Sequence, residues 1–155
     1  MSSTQQPQTV EQLKSAQNFA LAIPAGIAAA LVGAVVWALV VVQTNTKLGI
    51  IAVAIGYGVG WAIKKTGHGI EPKFGYLGAA CAAFGWALGT LLTDISLLAH
   101  VQNIRFQQAA LGLDANGLVN LVSATADPMD ALFLGIAVYE GYKFSFKYRL
   151  KKQAA

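Results

Sequence analysis

One cysteine, Cys81, is all the thiol chemistry in this chain of 155 residues, so an intrachain disulfide, a thiolate cluster and a cysteine-based zinc site are excluded. Charge is scarce as well. Charged residues make up 12% of the chain, against about 25% in soluble domains, which leaves few side chains to cover a water-facing surface. The scarcity is uneven: segments 19–42, 48–63 and 74–92 contain no Asp, Glu, Lys, Arg, His, Asn or Gln. Carriers coupled to protons or sodium use ionisable or polar groups at mid-membrane depth, and here those segments offer only Tyr57, Cys81 and Thr90. His68 and His100 fall on opposite sides of the expected membrane, and no nucleophile sits beside a base. Enzyme activity, a bound metal and a cofactor are therefore not expected.

What the chain does have is hydrophobic length. Segment 19–42 runs for twenty-four uncharged positions, which at about 1.5 Å per residue exceeds a hydrocarbon core of roughly 30 Å. Segments 48–63, 74–92 and 129–146 are three further runs, and 55% of all residues are hydrophobic. The expected fold is all-α: an integral membrane four-helix bundle with short amphipathic helices in an outer loop. A polar tail (1–18) precedes the membrane domain (19–148), the outer loop is 93–128, and a basic tail (149–155) follows. The first run is too long for the apolar region of a cleaved signal, and its Gln/Ser/Thr-rich approach carries one lysine, so it is expected to be retained.

Basic residues set the orientation. Lys14, Lys64, Lys65, Lys73, Lys143, Lys147, Arg149, Lys151 and Lys152 fall on one side, while Lys47 and Arg105 fall on the other. By the positive-inside rule both termini and the loop 64–73 are cytoplasmic. The net charge of +4 is then topogenic and headgroup-binding, with no nucleic-acid site. The short connection 43–47 makes the first two spans an antiparallel hairpin. In the outer loop, the third helix is expected to continue through Ile95, Leu98, Val101, Arg105 and Ala109 to a break at Gly112, and Asp94, His100 and Arg105 to share one amphipathic face. A second helix is capped by Asp114 and runs through Leu118, Leu121 and Val122. Asp127 and Pro128 open span four, with Asp130 near the positive end of its dipole. Thr9 to Gln12 has capping-box spacing for a short helix ahead of span one.

Small residues mark where helices meet. Gly75, Gly78, Ala82, Gly85 and Gly89 form a heptad seam on span three, opposite the bulkier Leu77, Cys81, Phe84, Leu88 and Leu91. Ala22, Gly26, Ala29 and Gly33 do the same on span one. Span two carries Ala52, Gly56 and Gly60 beside a second stripe, Ala54, Gly58 and Ala62, and is expected to be central. In lipid, close backbone approach at such seams is how helices associate. Residues 56–60 are no phosphate loop, since the preceding strand and the following acid are missing.

Two polar residues stand out as possible functional groups: Tyr57, and Glu140, the one acid inside a span, which is also placed to pair with Lys143. Tyr139, Tyr142, Lys143, Lys147, Tyr148 and Arg149 make an aromatic and basic girdle at the cytoplasmic interface. Trp37, Trp61 and Trp86 lie late in their spans, and anchor, packing and partner-contact roles stay open for them.

The run Ala54-Ile-Gly-Tyr-Gly-Val-Gly-Trp-Ala-Ile-Lys-Lys-Thr-Gly-His-Gly-Ile-Glu-Pro-Lys-Phe-Gly-Tyr-Leu-Gly-Ala79, with Gly135-Ile-Ala-Val-Tyr-Glu-Gly-Tyr-Lys-Phe-Ser145, resembles a group of small bacterial four-span membrane proteins of unassigned function. The resemblance covers spans two to four. It implies bacterial inner-membrane residence and a cytoplasmic glycine-rich loop, and no activity. Members often carry a soluble, sometimes cysteine-rich, N-terminal segment, from which this short cysteine-free tail departs.

The expected role is a non-enzymatic structural or accessory subunit whose partners are the lipid bilayer and other membrane subunits or itself. The alternative is a homo-oligomeric channel or carrier for a small solute, which requires polar groups converging on one axis. No small-molecule substrate is identifiable.

Overall fold

The computed structural model describes residues 10–46 and 49–146, and among them every regular element is an α-helix. In chain order these are α1 (Val10–Ser15), α2 (Phe19–Thr44), α3 (Gly49–Gly67), α4 (Pro72–Val101), α5 (Phe106–Gly112), α6 (Ala115–Thr125) and α7 (Pro128–Phe144). Thr9 of the proposed first cap, Lys47 of the first connection, Leu48 at the start of span two, and Lys147, Tyr148 and Arg149 of the girdle lie outside the described residues.

Local chemistry sets the helix ends. Asn18 opens α2 by accepting the Leu21 N–H at 3.1 Å, and Asn45 closes it with φ 49°, the left-handed turn that asparagine tolerates better than most residues. Pro72 opens α4, where its missing N–H is no loss. Asp114 caps α6 by accepting the Gly117 N–H at 2.8 Å. Asp127 and Pro128 open α7, with the Asp127 N–H donating to Asp130 Oδ2 at 3.1 Å.

Two helices are long and apolar enough to cross a membrane, α2 and α4, and a third crossing exists if α6 and α7, bent by 98° at their junction, count as one span. Four separate crossings are not established by length and composition. Helix α3 has 19 residues, but Lys64 and Lys65 occupy its last turn. At 17 residues, α7 alone reaches about 26 Å, short of the roughly 30 Å core.

The expected extension of the third helix to Ala109 is overturned. Helix α4 stops at Val101, Asn103 turns left-handed at φ 56°, and Arg105 begins a separate helix. Asp94 and His100 therefore do not share a helix with Arg105. No apolar side chain at 102 or 103 repays continuing the helix, and Asn103 accepts the turn.

Helices α2, α3, α4 and α7 pack as a bundle. Within the bundle both α3 and α4 touch the other three helices, and α4 also carries α5 and α6 beyond them. Of the two small stripes of span two, the one through Gly56 and Gly60 lies against α7, and Gly58 of the other has nothing within 4 Å of an added Cβ. Helices α2 and α7 lie across the bundle from each other and meet through Trp37 and Phe133, rings 6.1 Å apart and inclined at 69°. A second core, Ile95, Ala99 and Ala109 with Leu113, Leu118 and Leu121 around them, joins α5 and α6 to the far end of α4.

Candidate functional site

The small-residue seams are where the helices come closest. All five seam residues of α4 are buried, and they serve two partners in succession. Gly75 and Gly78 face Tyr142, Gly141 and Ser145 of α7 and the turn after it, whereas Gly85 and Gly89 face Ala30, Ala34 and Trp37 of α2. A methyl group at Gly85 would lie 2.9 Å from the Ala30 carbonyl oxygen. Gly56 and Gly60 of α3 face Ala137, Glu140 and Phe144 of α7.

On α2 the contact line differs from the one expected. Ala22, Gly26, Ala30 and Ala34 are buried, followed by Trp37, Ala38 and Val41, and Gly26 faces Ile63 and Cys81. Ala29 and Gly33 are half-buried and border α3, with Gly33 against Ile55. The step of four from Gly26 keeps to the α4 face, while a step of three turns toward α3. Cys81, assigned to the bulky outward face of α4, is buried in the bundle core, and Phe84 on that face is half exposed.

The polar residues singled out from sequence do not converge. Tyr57 is half exposed, its ring standing edge-on to Phe144 at 4.9 Å. Glu140 is half-buried, with its Cβ beside Gly56. No ion pair joins it to Lys143, whose ammonium lies 5.5 Å from the Tyr139 ring and 5.4 Å from the Phe144 ring. Tyr139 faces outward, as an anchor would. Tyr142 instead turns in, stacking edge-on with Tyr76 and Phe146 and closing over Gly75.

A chamber that the sequence did not reveal, mostly apolar with a few polar groups, lies at the end of the bundle where α6 meets α7. It measures about 310 Å³ and is lined by Trp86, Thr90, Asp94, Thr125 and Asp130 among apolar neighbours. Asp94 and Asp130 are 3% and 7% exposed. The Thr125 hydroxyl donates to Asp94 Oδ2 at 2.8 Å, tying α6 to α4. Asp130 accepts from the start of its own helix, as given above, and brings α7 to the wall of the same chamber. Trp86 Nε1 and Thr90 Oγ1 are buried without a hydrogen-bond partner among the described residues. A signal was present: Trp86, Thr90 and Asp94 recur every four residues, which stacks them on one helix face. The fourth residue, Thr125, comes from an element whose direction only the 98° bend at α6 and α7 fixes.

Chemically the chamber is lined by three helices, two of which, α4 and α6, are joined across it by a hydrogen bond. No serine or cysteine nucleophile lines it, and among the described residues no three His, Cys, Asp or Glu side chains group as a metal site. Its mechanical weight is testable. Thr125→Val removes the donor to a buried carboxylate and is expected to lower stability by about 1–2 kcal/mol. Hydrogen exchange should locate the loss at residues 115–125, with amides in the rest of the bundle unchanged.

No family model, no curated protein and no solved structure matches this chain.

Proposed function

We propose that this chain is a non-enzymatic four-span membrane protein, resident in a bacterial inner membrane with both termini cytoplasmic, that serves as a structural or accessory subunit, self-associated or docked on a larger membrane assembly. The carrying observation is the bundle interior. Its core is Ala22, Ala30, Ala52, Val59, Ile63, Ala82 and Ala137 at 0% exposure, around Trp37 and Phe74. A dry, closed core of this kind offers no route for a solute through one chain. The other support is the outside, where Leu21, Ile27, Leu31, Val35 and Leu39 of α2 and Ile50 and Val53 of α3 are exposed. In water such a surface is a liability, and in lipid it is the ordinary one. Four crossings are favoured because α3 and α7 pack along α2 and α4 and share their core.

Three measurements test this reading. In a Cys81→Ser background, single cysteines at the exposed His68 and Asn116 should react with a membrane-impermeant maleimide from opposite faces of inside-out and right-side-out vesicles. Labelling from the same face overturns the four-span topology. Gentle extraction from the native membrane should then yield a defined assembly, with itself or with other subunits. Solute flux through reconstituted vesicles that is abolished by Glu140→Gln would replace the subunit role with the channel.

A further inference from the structure

Besides the chamber, the molecule has a groove of about 490 Å³ between α2 and α3, on the side away from α7. Ala25, Ala28, Gly58 and Ala62 form much of its lining, and Ile55 and Trp61 are among its larger residues. From Ala25 to Val36 on α2, and from Ile51 to Ala62 on α3, the lining spans eleven residue steps, about 16 Å of helix. That is close to the depth of one leaflet, half of a core of about 30 Å.

Gly58 makes the groove unusual. A mid-helix glycine weakens a helix relative to alanine, and the other glycines of the bundle seams are explained by a neighbouring helix. At Gly58 an added Cβ would meet nothing within 4 Å. Packing within the chain gives no reason for the missing side chain, yet its absence deepens the groove.

The groove also has a charged mouth. Trp61 closes one end, and the Lys65 ammonium lies 4.7 Å from the Trp61 ring centre. Lys64 and Lys65 stand in the last turn of α3, at the end placed on the cytoplasmic side by the distribution of basic residues. Anionic headgroups are concentrated on that side. A surface that is apolar for one leaflet's depth and cationic at the headgroup level matches one chemistry.

From these features we infer that the α2–α3 groove is a binding site for an anionic phospholipid of the cytoplasmic leaflet, with an acyl chain laid along Gly58 and the phosphate held by Lys65 and Lys64. The site rests on the reading that α2 and α3 both cross the membrane, which the same maleimide labelling with single cysteines at the exposed Ala16, Thr46 and His68, one beyond each end of the two helices, tests separately.

The test is native mass spectrometry of the full chain in detergent, titrated with phosphatidylglycerol and, in parallel, phosphatidylcholine. The wild-type chain should retain phosphatidylglycerol in preference, and Lys64→Gln with Lys65→Gln should remove that preference, by about five-fold per lysine. Gly58→Leu fills the groove and should lower retention of both lipids about ten-fold, an effect of the size that one well-placed contact carries. Gly135→Leu is the control, because Gly135 also has nothing within 4 Å but lies on α7, outside the groove. Should Gly58→Leu fail to fold, Ala28→Leu fills the same space from α2. Equal retention by wild type and Gly58→Leu, or an unchanged preference in the double lysine variant, overturns the site. So does a chain that extracts as a dimer which Gly58→Leu splits, since the groove would then hold a second copy. If the labelling places residues 16 and 46, or 46 and 68, on one side, the topology itself has failed, whatever the lipid result.

Discussion

Gly78→Ala is expected to unfold the bundle or lower its stability by about 3 kcal/mol or more, the upper end of what overpacking costs. At Gly78 the α4 backbone meets the end of α7 with no room for a methyl group, which would run into Ser145 Oγ and the Gly141 carbonyl oxygen. The Ser145 hydroxyl is itself fixed, fully buried and donating to that carbonyl. Backbone cannot rotate out of the way as a side chain can, so the two helices must separate. Separation then opens the core formed by Ala82 and Ala137. Adding Ser145→Gly to Gly78→Ala should restore little, because the carbonyl obstacle stays. The reciprocal substitution Gly141→Ala should be nearly as costly, its methyl lying 2.5 Å from the Gly78 carbonyl oxygen and 2.7 Å from Ala82 Cβ. A refolding titration from denaturing into mild detergent, followed by circular dichroism, measures all three. A Gly78→Ala protein as stable as the parent would mean that α4 and α7 do not meet at this glycine.

Trp37→Ala should cost about 3 kcal/mol, and Trp61→Ala less than about 0.5 kcal/mol. Both residues are tryptophans late in apolar helices, and composition gives no reason to rank them. Trp37 is 1% exposed and bridges α2 to Phe133 of α7, filling space left by Gly89. Trp61 is 48% exposed. Where the surroundings are lipid, Trp37→Ala loses little from transfer of the ring out of water. What it loses is contact, because the cavity lies where three helices converge and none can close it alone. Trp37→Phe should recover part of the loss through the edge-on contact with Phe133. Thermal unfolding in one detergent at one concentration separates the variants, and equal losses for Trp37→Ala and Trp61→Ala would contradict the packing.

The contrast between those tryptophans shows what the sequence could convey. Seam positions on α4 were legible because glycine and alanine at steps of three and four have one geometric meaning on a helix. The α6 and α7 starts were legible because Asp114 and the Asp127-Pro128 pair act through bonds to residues two or three positions away. Contacts that depend on how far a helix is rotated about its axis were not. Ala29 and Ala30 are neighbours, and only the placement of α4 decides that Ala30 is the buried one. The end of α4 was misjudged for a related reason: Ile95, Leu98 and Val101 continue the apolar rhythm, but the turn at Asn103 lets Ala109 come back onto Ala99, a fold-back that no local pattern states. The chamber failed to emerge because it needs Thr125 beside Asp94, thirty-one residues apart.

Helix α4 has 30 residues and so reaches about 45 Å, well past a hydrocarbon core of about 30 Å. Its first half lies in the bundle seam and its last turns carry the α5 and α6 core, with no break between them. The two cores thus share one stiff rod. A helix longer than the bilayer is thick accommodates by tilting, and a tilt of the whole bundle, with α4 locked in it by the Gly78 and Gly85 contacts, would swing α5 and α6 through an arc while the bundle's packing stays the same. Bilayer thickness would in that way set the height and angle at which the surface formed by α5 and α6 is presented.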